Sequence, residues 1–183
     1  NHGVIITEGD NSVGVLAQSI GGGGGQGGAA FTGVLRANNK GEPNRISLAF
    51  GGKGGEGGNG SAVMVDNYNG VGTFCYRSSG IFAQSVGGGG GVGGTSTVMT
   101  AEGDQGAQNV SLSVGGNGGS NATGGVVTVN NLLTENSEGV ISTYGNSAHG
   151  IVAMSVGGGG GDAGGSYIVN RQGTTDAAMQ AKA

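Results

Sequence analysis

The stretch GVLAQSIGGGGGQGG at residues 14–28 returns as GIFAQSVGGGGGVGG at 80–94 and as GIVAMSVGGGGGDAGG at 150–165. Each copy is a short run with strand composition that opens into five consecutive glycines. Repetition at this spacing means the chain must be read by its unit before any single residue is interpreted. In the three copies, alternate residues face opposite sides of a strand. One side reads Val15, Ala17, Ser19, then Ile81, Ala83, Ser85, then Ile151, Ala153, Ser155. The other side, with Leu16, Phe82 and Val152 at its head, varies in size. A face held to Ala and Ser predicts close approach of another backbone layer, as inside a thin solenoid.

Upstream of each copy lies a second recurring segment. GVIITEGDNSVG at 3–14 aligns without gaps to GVISTYGNSAHG at 139–150, and GVGTFCYRSSG at 70–80 reads as a copy one residue shorter. Short Val/Ile runs bounded by Gly, Asn, Asp and Ser are strand-and-turn signals. The expected order is a short strand, a turn near Gly9 or Gly145, and then the Ala-Ser strand.

The five-glycine runs begin at Gly21, Gly87 and Gly157 and end at Gly25, Gly91 and Gly161. Their return at one point of every unit argues against a flexible linker. Half a unit later a different glycine element appears, ISLAFGGKGGEGGNG from Ile46 and VSLSVGGNGGSNATGG from Val110. From Gly51 it runs in Gly-Gly-x triplets with Lys53, Glu56 and Asn59 in third place. A period of three fits neither a strand nor an α-helix. It fits the left-handed, three-residue-per-turn extended helix that has no internal hydrogen bonds. Such segments are expected to pack side by side as polyglycine II helices, bare because no Cβ can intervene.

The fold expected is therefore all-β: an elongated repeat β-solenoid of the parallel β-helix kind with packed glycine-rich segments. It holds repeat units at 3–69, 70–138 and a truncated 139–183, forming one continuous solenoid without independent domains. The structural residues of the repeat are Ala17, Ser19, Gly21, Gly25, Ala83, Ser85, Gly87, Gly91, Ala153, Ser155, Gly157 and Gly161. The last ten residues, from Thr174, change to Asp, Ala, Met, Gln and Lys and read as a short helix, a frayed end or an exit to a further segment. The chain begins in mid-repeat, without initiating Met or signal peptide, and is expected to be a fragment of something longer.

Composition narrows the function. Glycine supplies 48 of 183 residues, charged residues 10%, aromatics 4%, and the formal net charge is −4. Side chains are too few for a conventional globular core. Disorder is disfavoured because Val/Ile runs recur at fixed places and net charge is low. The seven Lys and Arg are scattered, so no basic stripe addresses nucleic acid. No apolar run reaches the roughly 18–20 residues of a membrane span.

Catalytic and metal patterns are absent. Lys53 follows a glycine but opens no Walker loop. Asp162 has Gln26 and Val92 as counterparts, against a calcium-binding β-roll. His149 stands where Val13 and Ser79 stand, a variable turn position. Ser19, Ser85 and Ser155 recur without a recurring base, which makes them packing or backbone-bonding residues. Cys75 has no cysteine counterpart and reads as a small buried apolar residue. No catalytic, cofactor or metal site is expected.

The run Gly-Ile-x-Ala-Gln-Ser-[Ile/Val], continued by five glycines and then x-Gly-Gly, and preceded by Gly-Val-Ile-x-Thr-x-Gly, resembles the repeats of bacterial autotransporter passenger regions. The resemblance covers the chain through Gly165. It implies export across a Gram-negative envelope and an extracellular or cell-surface place, in a structural or adhesive role as stalk or filament scaffold without catalysis. Expected partners are further copies, in fibres or lateral assemblies, and a host or cell-surface glycan. Specificity is expected in the variable loops Arg36 to Arg45 and Ala101 to Asn109. The Gly-Gly-x triplets also resemble the polyglycine bundles of certain phage tail-fibre adhesins and of an insect antifreeze protein, so a glycan- or ice-binding module is the alternative. For ice, Lys53, Glu56 and Asn59 are the wrong groups. For glycans, Phe31, Tyr68, Tyr76, Tyr144 and Tyr167 are dispersed along the sequence.

Overall fold

The computed structural model describes residues 1–35, 45–102, 109–132 and 139–172. Most of the two variable loops and the C-terminal stretch from Thr174 lie outside the described residues. Among the described residues there are thirteen strands and no helix. In chain order they are β1 (Ile5–Thr7), β2 (Val15–Ile20), β3 (Ala30–Leu35), β4 (Arg45–Phe50), β5 (Val63–Asn67), β6 (Val71–Thr73) and β7 (Ile81–Val86). Then follow β8 (Ser96–Glu102), β9 (Asn109–Val114), β10 (Val127–Asn131), β11 (Ile141–Thr143), β12 (Ile151–Val156) and β13 (Ser166–Gln172).

Every described strand pairs in parallel with its counterpart in a neighbouring repeat. The sheets run β1-β6-β11, β2-β7-β12, β3-β8-β13, β4-β9 and β5-β10. Ala17, Ala83 and Ala153 fall in one row, and Ser19, Ser85 and Ser155 in the next but one. Identical side chains stack because a parallel ladder in this register places like on like, so a repeated sequence repeats its own packing. Ile5 pairs with Val71 and Val15 with Ile81, each 66 residues on. The middle copy is therefore not one residue shorter. It begins at Asn69, the counterpart of Gly3 and Gly139, and no gap is needed. Register then changes only across 36–44, 103–108 and 133–138, which absorb every insertion.

The chain forms two compact units, and neither coincides with a sequence repeat. One comprises Asn1–Gly23, Gly57–Gly89 and Asn121–Gly159; the other comprises Gly24–Glu56, Gly90–Ser120 and Gly160–Ala183. The second unit draws one segment from every repeat, and two segments of the first straddle the boundaries between repeats, because a single repeat has nothing to cover its apolar face.

The first unit holds β1, β2, β5, β6, β7, β10, β11 and β12. Its core is Val63, Val65, Ile81 and Ala83, with Val15, Ala17, Val127, Val129 and Ile141 packed against it. The Val/Ile-Ala-Ser face turns inward, and Ile81, Ala83 and Ser85 are fully buried. Alanine fits there because β5 and β10 lie directly opposite β7. Ala153 and Ser155 are exposed on the same face, since no described strand of the β5 kind follows β12.

The second unit holds β3, β4, β8, β9 and β13. Its interior is narrow and rich in hydroxyl groups. Ser47, Ala49, Ser96, Val98, Thr100 and Ser113 are buried, while large apolar residues of β4 and β9 face outward.

Candidate functional site

Two constructions repeat along the chain, glycine columns and hydroxyl and amide zippers, and an outer groove lies on one sheet. The glycines come first because they determine what can lie beside them. In the second unit, the Gly55 amide donates to the Gly25 carbonyl at 2.7 Å, Gly91 to Gly55 at 2.7 Å, Gly119 to Gly91 at 2.7 Å and Gly161 to Gly119 at 3.0 Å. Three residues along, the same column recurs through Gly28, Gly52, Gly94, Gly116 and Gly164 at 2.7–2.8 Å. Five-glycine and triplet segments alternate in these columns and run antiparallel, since 25 and 28 meet 55 and 52. In the first unit, Gly22, Gly58, Gly88, Ala122 and Gly158 form a further column at 2.7–3.3 Å.

Only Gly139 among the described glycines has a positive φ, at 52°. The runs are thus bare for closeness and not for left-handed turns. A Cβ on Gly21 would meet the Gly58 carbonyl oxygen and one on Gly87 that of Ala122, while Gly91 and Gly161 face the Gly25 and Gly91 oxygens. Gly157 has ordinary room, 3.6 Å from the Ala122 oxygen, and Gly25 faces open space. Every third residue points away from the columns, and there side chains appear. Lys53 Nζ donates to Glu56 Oε1 at 2.9 Å, three residues on. This hydrogen bond, and then the Lys53 charge, hold the exposed Glu56 carboxyl below the usual carboxylate range. In the first unit Asn59 Oδ1 accepts from the Thr123 amide at 3.0 Å.

The serines form a zipper in the first unit. Ser19 Oγ accepts from the Ser61 amide at 2.8 Å, and Ser85 Oγ donates to the Ser61 carbonyl at 2.8 Å. Ser85 Oγ also accepts from the Gly125 amide at 2.8 Å, and Ser155 Oγ donates to the Gly125 carbonyl at 2.9 Å. Each hydroxyl satisfies backbone at the start of β5 or β10, where no sheet partner is available. The second unit has a shorter version, in which Ser96 and Ser113 hydroxyls meet at 2.6 Å and Ser166 Oγ donates to the Ser113 carbonyl at 2.6 Å.

A ladder of asparagine amides, which no single repeat's pattern singles out, links the three repeats. Asn1 Nδ2 donates to Asn67 Oδ1 at 2.8 Å, and Asn67 Nδ2 donates to Asn131 Oδ1 at 2.7 Å. The same amides donate to the Gly3, Asn69 and Gly139 carbonyls at 2.6–2.7 Å. The signal was present: Asn67 and Asn131 close β5 and β10 at the same spacing as those strands, and Asn1 precedes the first Gly-Val start.

The outer face of β1-β6-β11 carries an open groove of about 240 Å³, lined by Val4, Ile6, Gly70, Gly72, Val140, Tyr144 and their neighbours. It exists because the middle strand carries Gly70 and Gly72 where the first has Val4 and Ile6 and the third Val140 and Ser142. Phe74 and Tyr144, counterparts in register, stack at 5.0 Å along one side. Dropping the gap in the middle copy aligns these two rings. Elsewhere His2 stacks on Tyr68 at 4.7 Å and Arg77 lies 5.9 Å from the Tyr76 ring centre.

No family model, no curated protein and no solved structure matches this chain.

The remaining reactive side chains are separate. His149 is exposed in its turn. Cys75 is not a buried apolar residue but a half-buried turn residue whose thiol donates to the Glu8 carbonyl at 2.8 Å. Its counterparts in the neighbouring repeats are Gly9 and Gly145. Among the described residues no three His, Cys, Asp or Glu side chains converge to hold a metal ion, and no helix is long and apolar enough to cross a membrane.

Proposed function

We propose that this chain is a non-catalytic repeat segment of an exported bacterial surface protein, similar to autotransporter passenger regions, acting as a structural or adhesive scaffold. In this reading the parallel sheets are the walls of a β-solenoid, and the glycine runs are polyglycine II helices packed as layers of it. The observation that supports it is the set of amide columns recurring every three residues across five glycine segments. Polyglycine II has three residues per turn and bonds only to neighbours, which matches that step. Among the described residues the interior is lined by apolar side chains and by hydroxyl and amide groups that bond backbone or one another, with no grouping suited to acid–base or nucleophilic chemistry.

The alternative, a glycan- or ice-binding module, draws on the groove beside Phe74 and Tyr144. Against it, the two rings stack on each other, so part of the face a sugar would use is covered. Ice recognition requires a flat, regular array, and Lys53 and Glu56 interrupt the triplet edge.

Electron microscopy of the purified chain, joined with a glycan array and thermal hysteresis, tests the choice. The scaffold reading expects an elongated particle, no hysteresis and no glycan held at the Phe74–Tyr144 groove. A glycan that binds and whose binding is lost in Tyr144→Ala would overturn it.

A further inference from the structure

The outer face of β4 and β9 is wholly apolar. Ile46 pairs with Val110, Leu48 with Leu112 and Phe50 with Val114, three rows of large side chains with no polar group among them. Ile46 is 71% exposed, Phe50 59% and Leu112 45%. The inward face of the same strands carries Ser47, Ala49, Ser111 and Ser113, so the usual polarity of a half-buried sheet is inverted. The inversion follows from the narrow interior. Ser113 must approach Ser96 closely enough to bond it, which admits only small side chains.

The geometry points to this face as a docking surface for the same face of a second copy of the chain. The six residues expose on the order of 600 Å², at the top of the range for the largest apolar patch of a soluble monomer and approaching the roughly 800 Å² per partner of a stable interface. Parallel sheets are ordinarily covered on both sides, and here one side is covered by β3 and β8 while no described element covers the other. The occupant must be apolar, since the face offers no hydrogen-bond donor or acceptor for a sugar and no charge for an acidic or basic partner. A two-fold axis along the Leu48–Leu112 row sets leucine on leucine and meets the Ile46 row with the Phe50 row of the other copy. An isologous contact of this kind closes after two copies. At an area just under the standard, the single contact is weak. The inference concerns this face alone and stands or falls independently of export and of the absence of catalysis.

Sedimentation of the full chain across micromolar to sub-millimolar concentration tests it. Two double variants are compared, L48K with L112K and L48E with L112E, with circular dichroism confirming that each keeps the wild-type β signal. The wild type is expected to move from monomer to dimer. Each double variant alone should associate at least about tenfold more weakly, and their equimolar mixture should recover dimer at low salt. Should either fail to fold, Leu112→Ser replaces it, with about threefold to tenfold weaker association expected. A wild type that stays monomeric throughout, a dimer indifferent to the substitutions, or a mixture that does not recover overturns the proposal.

Discussion

A methyl group on Gly88 would collide with the carbonyl oxygen of Gly22, while one on the next residue, Gly89, would rest 3.7 Å from the Gly159 oxygen. Adjacent residues of one glycine run thus differ entirely in what they tolerate. The first points into the column and the second away from it.

This contrast gives the sharpest stability test. Gly88→Ala is expected to cost about 2–4 kcal/mol, from backbone displacement and a weakened amide bond to Gly58. Gly89→Ala is expected to be neutral or to stabilise by about 0.4–1 kcal/mol through the unfolded chain. Urea unfolding of the two variants beside the wild type measures both. Equal losses would show the run to be an irregular turn and not a packed segment.

The serine zipper is graded by burial. Ser85 is fully buried and bonds both Ser61 and Gly125, so Ser85→Ala strands a carbonyl and an amide. A loss of about 2–4 kcal/mol is expected. Ser155 is exposed and has a single bond in the zipper, to Gly125, and Ser155→Ala should cost about 1 kcal/mol or less. Denaturation midpoints of the pair check the order.

Asn67 is fully buried between Asn1 and Asn131. Asn67→Ala removes both ladder bonds and the bond to Asn69. It is expected to lower stability by about 3 kcal/mol and to accelerate amide exchange in β5 and β10. Unchanged exchange there would deny the ladder its role.

Asn11, Arg77 and Ser147 occupy one turn position in the three repeats and take φ of 56°, 55° and 57°. An L side chain is strained there, and glycine is not. Ser147→Gly is expected to stabilise by about 1 kcal/mol, read as a higher melting temperature.

Lys53 and Glu56 make the pH-dependent contribution. The Glu56 carboxyl titrates lower when folded than when unfolded, because Lys53 bonds its charged form. Its contribution is present above the unfolded carboxylate range and is lost as pH falls through the lower, folded value. Both groups are exposed, so the effect is small and salt-sensitive. Melting curves of wild type and Glu56→Gln should differ slightly at neutral pH and converge in strong acid. A difference that grows on acidification would reverse the sign and exclude the pairing.

By itself the sequence determined the all-β class, the repeat and the face that turns inward. Ile81, Ala83 and Ser85 alternate with Phe82, Gln84 and Val86, and alternation along a strand is a local property. The triplet period at Lys53 and Glu56 was legible for the same reason, since three residues per turn is written along one segment. What joins segments was decided only in the tertiary structure. Asn67 meets Asn131, Ser85 meets Ser61 and Gly88 meets Gly58 through contacts tens of residues apart, set by a register that any one-residue shift would alter. The gapped reading of the middle copy is such a shift, and it hid the Phe74–Tyr144 stack. The grouping into two units, each taking a piece from every repeat, was equally unwritten. Whether Leu48 or Ser47 faces inward also depends on the space left by β3 and β8, which no local pattern records.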